Sequence, residues 1–271
     1  MTLTELWSDL WQTQRPLMLT GAGVFALFLV LTTLSLFDST QILGINRWIK
    51  PMKFAVSIAI YLWTLAVYLR FLRGYKTISR VIAWGAIAFM VGEIVLILMQ
   101  AARGTTSHFN YATPFDAIVF ITMGVMIITN SLLIGYLAFL YFRADFDLPT
   151  AIVWGMRLGL IVFLLASAEG VFMSQRTGHS VGAADGGAGL PFVNWSVTAG
   201  DLRVAHFFGL HAMQAIPLAS MFFVWLQRRK SFVPPTALTI GFAAFYFAAV
   251  SIVFVQAMLG KPLSFQLFTA I

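Results

Sequence analysis

Hydrophobic positions in this chain arrive in long, almost unbroken runs. Seven of them, approximately 16–37, 52–73, 80–102, 115–142, 150–173, 203–227 and 235–259, are long enough to span a bilayer as helices. Runs of this length exclude barrel strands, which alternate and extend for only about 10 residues, whereas a helix satisfies its own backbone in lipid. The pattern predicts an all-α integral membrane bundle of seven transmembrane helices, with residues 1–271 as a single transmembrane domain. Ahead of the first run, Thr2 and Glu5 stand at capping-box spacing and Leu3, Leu6, Trp7, Leu10 and Trp11 share one face, which predicts a short N-terminal interfacial helix. This opening stretch lacks the charged n-region and small-residue cleavage site of a signal peptide.

Composition agrees: 60% of residues are hydrophobic, 10% are charged and the mean hydropathy is +0.87, far from a soluble domain. The net charge of +7 sits at helix ends and in short loops, which points to membrane lipids and away from nucleic acid as partners. With no cysteine, disulfides, thiolate metal sites and thiol relays are excluded.

Seven crossings place nine bases (Arg15, Arg70, Arg73, Lys76, Arg80, Arg143, Arg228, Arg229 and Lys230) on the side of the N-terminus and seven on the other, with Arg157 inside the fifth span near its end. The nine include the tight clusters RFLRGYKTISR and QRRK in short connections. A bacterial inner-membrane protein with its N-terminus cytoplasmic and its C-terminus extracytoplasmic is therefore expected. The connection 174–202 falls on the outer side and is long and Gly-rich, either a linker or a binding loop that Phe192, Val193 and Trp195 would pack onto the helices.

Polar residues interrupt the runs in patterns. Lys50, Lys53, Ser57, Tyr61, Thr64 and Tyr68 fall within about 80° of the second span, a stripe expected to face protein or water. Glu93 and Gln100 superpose on the third span with Arg103 just beyond. Asp116 and Asn130 share a face of the fourth span, and Glu169 lies close to the outer end of the fifth. The sixth span opens GDLRVAHFFGLHAMQ: Arg203, His206, His211 and Gln214 fit in an arc of about 140°, whose extremes are the two histidines. Zinc-binding helices use histidines four apart on one face, so a joint site on His206 and His211 is disfavoured.

Lys50, Lys53, Glu93, Arg103, Asp116, Glu169, Asp201, Arg203, His206 and His211 all belong to one leaflet by this count, which predicts a single outward-facing polar site. Lys50, Lys53, Arg103, Arg203 and Gln214 would bind an anionic lipid or a small anionic substrate. His206 or His211 would act as base or nucleophile, oriented by Glu93, Glu169 or Asp201. TGHS at 177–180 resembles a lipid-phosphatase motif, but the Arg-and-His stretch such enzymes also need is not reproduced across 203–211. Haem would need ligands on facing spans, and only the sixth offers any, leaving His108 or His179 of the loops as second ligand. A zinc or iron site would draw on His108, His206 or His211 with a carboxylate. A carrier, receptor or assembly factor needs no reaction at all. Carriers usually show internal repeats, and none is visible. A retinal protein would need a lysine in the middle of the last span, and Lys261 lies beyond its end.

The stretches RWIKPMKF (47–54), ARGTTSHFN (102–110), DGGAGLP (185–191) and GDLRVAHFFGLHAMQ resemble a group of bacterial multi-pass membrane proteins without an assigned activity. The resemblance runs from the second span onward. It implies that Lys50, Lys53, Arg103, His108, Asp201, Arg203, His206 and His211 belong to the family pattern, and it implies no reaction.

Overall fold

The structure, a computed structural model, describes residues 2–232 and 234–263, leaving the side chain of Leu3 outside. Among the described residues the fold is all-α, with seven helices long and apolar enough to cross a membrane. In chain order the elements are α1 (Leu3–Thr13), α2 (Arg15–Phe37), β1 (Gln41–Ile42), β2 (Ile45–Asn46), α3 (Ile49–Phe71), α4 (Lys76–Ala102) and α5 (Pro114–Arg143), then α6 (Thr150–Arg176), β3 (Ser180–Val181), β4 (Gly200–Asp201), α7 (Leu202–Arg229) and α8 (Pro235–Met258). They form two compact units, Met1–Asp147 and Leu148–Ile271.

In the first unit, α1 is a separate helix because Thr2 and Glu5 complete the capping box. Its Leu10 is buried, Trp7 meets Trp63 of α3 edge to face at 5.9 Å, and Asp9 accepts two hydrogen bonds from Arg70. Gly21 admits that same Trp63: a Cβ there would lie 2.4 Å from the indole nitrogen, which donates to the Met18 carbonyl at 3.3 Å. Strands β1 and β2 form a two-residue hairpin turn in which Leu43 (φ 50°) and Gly44 (φ 77°) both have positive φ, as the twist of paired strands requires.

Helix α3 begins three residues before the predicted span. Pro51 is tolerated because first-turn N–H groups have no intrahelical partner, so Lys50 and Lys53 stand on the helix itself. The predicted stripe along α3 is largely internal. Tyr61 is buried and donates to Asn130 Oδ1 of α5 at 3.0 Å, Tyr68 is buried with its carbonyl accepting from Tyr141 at 2.7 Å, and the Thr64 hydroxyl returns to the Ile60 carbonyl. Ser57 is exposed.

In the second unit, α6, α7 and α8 pack against one another around Val162, Ala212, Ile216 and Ala243. Small residues set the approach of α6 to α7. A Cβ on Gly209 would lie 2.5 Å from Ala166 Cβ, and one on Gly155 would lie 3.2 Å from the Pro217 backbone. Helix α6 runs on to Arg176, closing with Thr177 in the left-handed conformation, so the connection is shorter than expected. It is also tied down: β3 pairs with β4, and Trp195 packs edge-on against Phe207 of α7 at 5.5 Å. Phe192, expected to pack down too, is exposed.

Candidate functional site

The sequence-predicted residues divide between the units. Lys50, Lys53, Glu93, Arg103, His108 and Asp116 belong to the first; Glu169, Asp201, Arg203, His206, His211 and Gln214 belong to the second.

At the end of the first unit where α4 finishes and α5 begins, Asp116 is nearly saturated. Its carboxylate accepts from Thr113 Oγ1 at 2.6 Å, Gln100 Nε2 at 2.8 Å and Arg103 at 2.6 Å, and Thr113 caps the Asp116 N–H in return. Arg103 also donates to Gln100 and lies over the Phe115 ring. Arg103 thus joins the end of α4 to the start of α5. Asp38 does the same for the β1–β2 turn, accepting from Thr40 N–H at 3.0 Å, Arg47 Nε at 2.6 Å and Trp48 Nε1 at 2.9 Å. The Thr40 backbone N–H first, then the Thr40 hydroxyl, Arg47 and Trp48, hold its carboxyl well below the usual carboxylate range.

Lys50 and Lys53 are half-buried in the first turns of α3. Deeper on α4, Glu93 is 2% exposed and neither carboxyl oxygen has a hydrogen-bond partner; Lys50 is the cation whose charge acts on it. His108 rests among Phe54, Phe109 and Phe120 at 5.5 to 6.1 Å, its Nδ1 against Ser107 Oγ at 3.1 Å.

In the second unit Asp201 organises the head of α7. It caps the Arg203 N–H at 3.0 Å, accepts from Arg203 Nε at 2.9 Å and NH2 at 2.6 Å, and takes the Ser196 N–H at 2.8 Å. Burial by itself would raise its carboxyl, but Arg203, the Ser196 N–H and His179 outweigh that and hold it below the usual range. Arg203 also donates to the Asn194 carbonyl and borders a cavity of about 20 Å³, room for one water-sized group, with His179, Ser180, Asn194, Ser196 and Thr198 among its walls.

The two helix histidines diverge. His206 turns to α6, where its Nδ1 donates to the Ala166 carbonyl at 2.8 Å and its ring fills the space over Gly170. His211 lies 4.4 Å from the Phe207 ring and 3.3 Å through Nδ1 from Gln214 Oε1. Through Nδ1 both imidazoles therefore meet neutral oxygens. The reason is geometric, since the Ala166 carbonyl faces His206 across the close α6–α7 contact and Gln214 is within one turn of His211. Because a carbonyl can only accept, a neutral His206 ring carries its lone pair on Nε2. Glu169 keeps one buried oxygen without a hydrogen bond.

The imidazole that does stand beside carboxylates is His179, 3.3 Å from Asp185 and 3.7 Å from Asp201. The sequence brings up His179 as a haem ligand and within TGHS, and Asp185 only as the start of DGGAGLP, without pairing the two. The available signal was a histidine and an aspartate bracketing Gly182, whose φ of 89° marks the turn that brings them together. Among the described residues no group of three or more His, Asp or Glu side chains is gathered to hold a metal ion.

No family model, no curated protein and no solved structure matches the chain.

Proposed function

We propose that this multi-pass protein lies in the bacterial inner membrane with its N-terminus cytoplasmic and the head of α7 extracytoplasmic, and acts there on an amphiphile with an anionic head group. The observation behind this reading is the run of Arg203, Phe207, His211 and Gln214 down α7. The guanidinium heads the helix beside the polar cavity, an exposed aromatic ring follows, and an imidazole oriented through Nδ1 lies about 12 Å below Arg203. An anionic head group would take Arg203 and the hydroxyls of Ser196 and Thr198, its apolar body would lie along Phe207, and the Nε2 lone pair of His211 would serve as base.

A second reading, a carrier or receptor without chemistry, is favoured by one specific observation: Asp201 already pairs with Arg203, and among the described residues the hydrogen-bond partner of His211 is the neutral Gln214. The two separate on one pair of measurements with purified protein. Phosphatidylglycerol vesicles should retain the protein more than phosphatidylcholine vesicles, and Arg203→Gln should reduce that difference. If inorganic phosphate competes, a small anion is the ligand instead. Loss of turnover in His211→Ala with lipid retention unchanged supports the enzyme; weakened retention with no product from the wild type supports the carrier or receptor.

A further inference from the structure

Glu93 poses a problem that the head of α7 does not address. Its carboxyl lies in the interior of an apolar helix, ten residues or about 15 Å of helix from Arg103, and is 2% exposed. Both oxygens lack a hydrogen-bond donor. The other deeply buried acid among the described residues of this unit is treated differently: Asp116 accepts from three side chains. A carboxylate deprived of water and of donors costs many kcal/mol in a low-dielectric interior, whereas the neutral acid costs a few at most.

The neighbouring elements supply no donor. Helix α2 has no ionisable residue beyond Arg15 at its far end. On α5, Asp116 is committed to Arg103, and Tyr136, Tyr141 and Arg143 lie at or toward the opposite end, Tyr141 being bonded to the Tyr68 carbonyl. On α3, Tyr61 is committed to Asn130, Tyr68 lies beneath Tyr141 and Arg70 holds Asp9, which leaves the lysines of the first turns, and of these Lys50 acts on Glu93 by its charge.

We propose that Glu93 is a proton-binding site: a neutral carboxylic acid within the membrane that exchanges its proton with water at the end of the unit where α3 begins. On release the proton passes to water and the remaining carboxylate faces the Lys50 ammonium, so the pair alternates between net charge +1 and zero without any other reactant. The ligand of this site is the proton itself, and the site belongs to the first unit independently of any chemistry at α7.

The test uses the full-length wild-type protein in phosphatidylcholine vesicles and the apolar reagent dicyclohexylcarbodiimide, which modifies carboxyl groups only while they hold a proton. Peptide mass spectrometry is expected to find the adduct on Glu93 at neutral pH, with labelling lost as the pH is raised. Lys50→Met should carry the labelling to higher pH, because the cation that favours the carboxylate is gone. A protonated-carboxyl infrared band, present in the wild type and missing from Glu93→Gln, gives an independent readout that does not depend on reagent access. An infrared spectrum unchanged by Glu93→Gln would overturn the proposal, as would labelling of Glu93 that rises with pH. Should Glu93→Gln not fold, the pH dependence of wild-type labelling and its shift in Lys50→Met decide, and labelling of Glu93 that is absent at neutral pH overturns the proposal.

Discussion

His206 Nδ1 and the carbonyl oxygen of Ala166 stand 2.8 Å apart, so an imidazole of α7 is fastened to the backbone of α6 directly above the glycine that makes room for its ring. His206→Ala should therefore lower stability by about 1 to 2 kcal/mol through the lost hydrogen bond and packing. His211→Ala should cost little, since its partner Gln214 is on the same helix and half-buried. Thermal unfolding of the two variants in detergent checks this; equal losses would mean that His206 is not the structural one.

Asp201 joins the cap of α7, the Arg203 guanidinium and the Ser196 N–H, with its side chain 1% exposed. Asp201→Ala should cost about 1 to 3 kcal/mol, from the lost cap and the hydrogen bonds of Arg203 and Ser196, since the Arg203 side chain is 27% exposed and keeps part of its hydration. Its folded-state carboxyl lies below the ordinary value of about 3.9. The contribution is thus complete above that value and disappears as the pH falls through the depressed folded one. The opening free energy read by hydrogen exchange across 177–201 should weaken as the pH falls below about 4.

Tyr61 and Asn130 tie α3 to α5 at 3.0 Å. Tyr61→Phe should cost about 1 kcal/mol, and the double variant with Asn130→Ala should lose less than the sum of the singles. A Tyr61→Phe variant with full stability but altered lipid retention would reassign this hydroxyl to a ligand.

Gly209 of α7 faces Ala166 of α6, where an added Cβ would lie 2.5 Å from the alanine Cβ. Gly209→Leu should destabilise by roughly 1 to 3 kcal/mol because Ala166 cannot retreat, whereas Gly124→Leu, where a Cβ would meet nothing within 4 Å, should be tolerated. Expression level and melting temperature of the two variants distinguish the cases.

Helix number and type were legible because lipid-soluble runs of this length have only one structural solution. The α1 cap was legible too, since Thr2 and Glu5 act on each other locally. Partner choice was not. Arg70 finds Asp9 across 61 positions and His206 finds Ala166 across 40, distances over which no periodicity speaks. Helical projection did separate His206 from His211 by about 140°, and the structure turns that angle into two environments. What projection could not supply was which neighbour each imidazole would meet, nor that Asp185 would reach His179 through a glycine turn.

Arg47 grips Asp38 within its own hairpin and also donates to the Ala102 carbonyl at 3.2 Å, across 55 positions. During synthesis the hairpin between α2 and α3 can therefore fold as soon as it emerges, but its final fastening must wait until α4 has been made. Three crossings acquire their common anchor in one late event of membrane insertion, and a ribosome stalled before residue 102 would leave that clasp open.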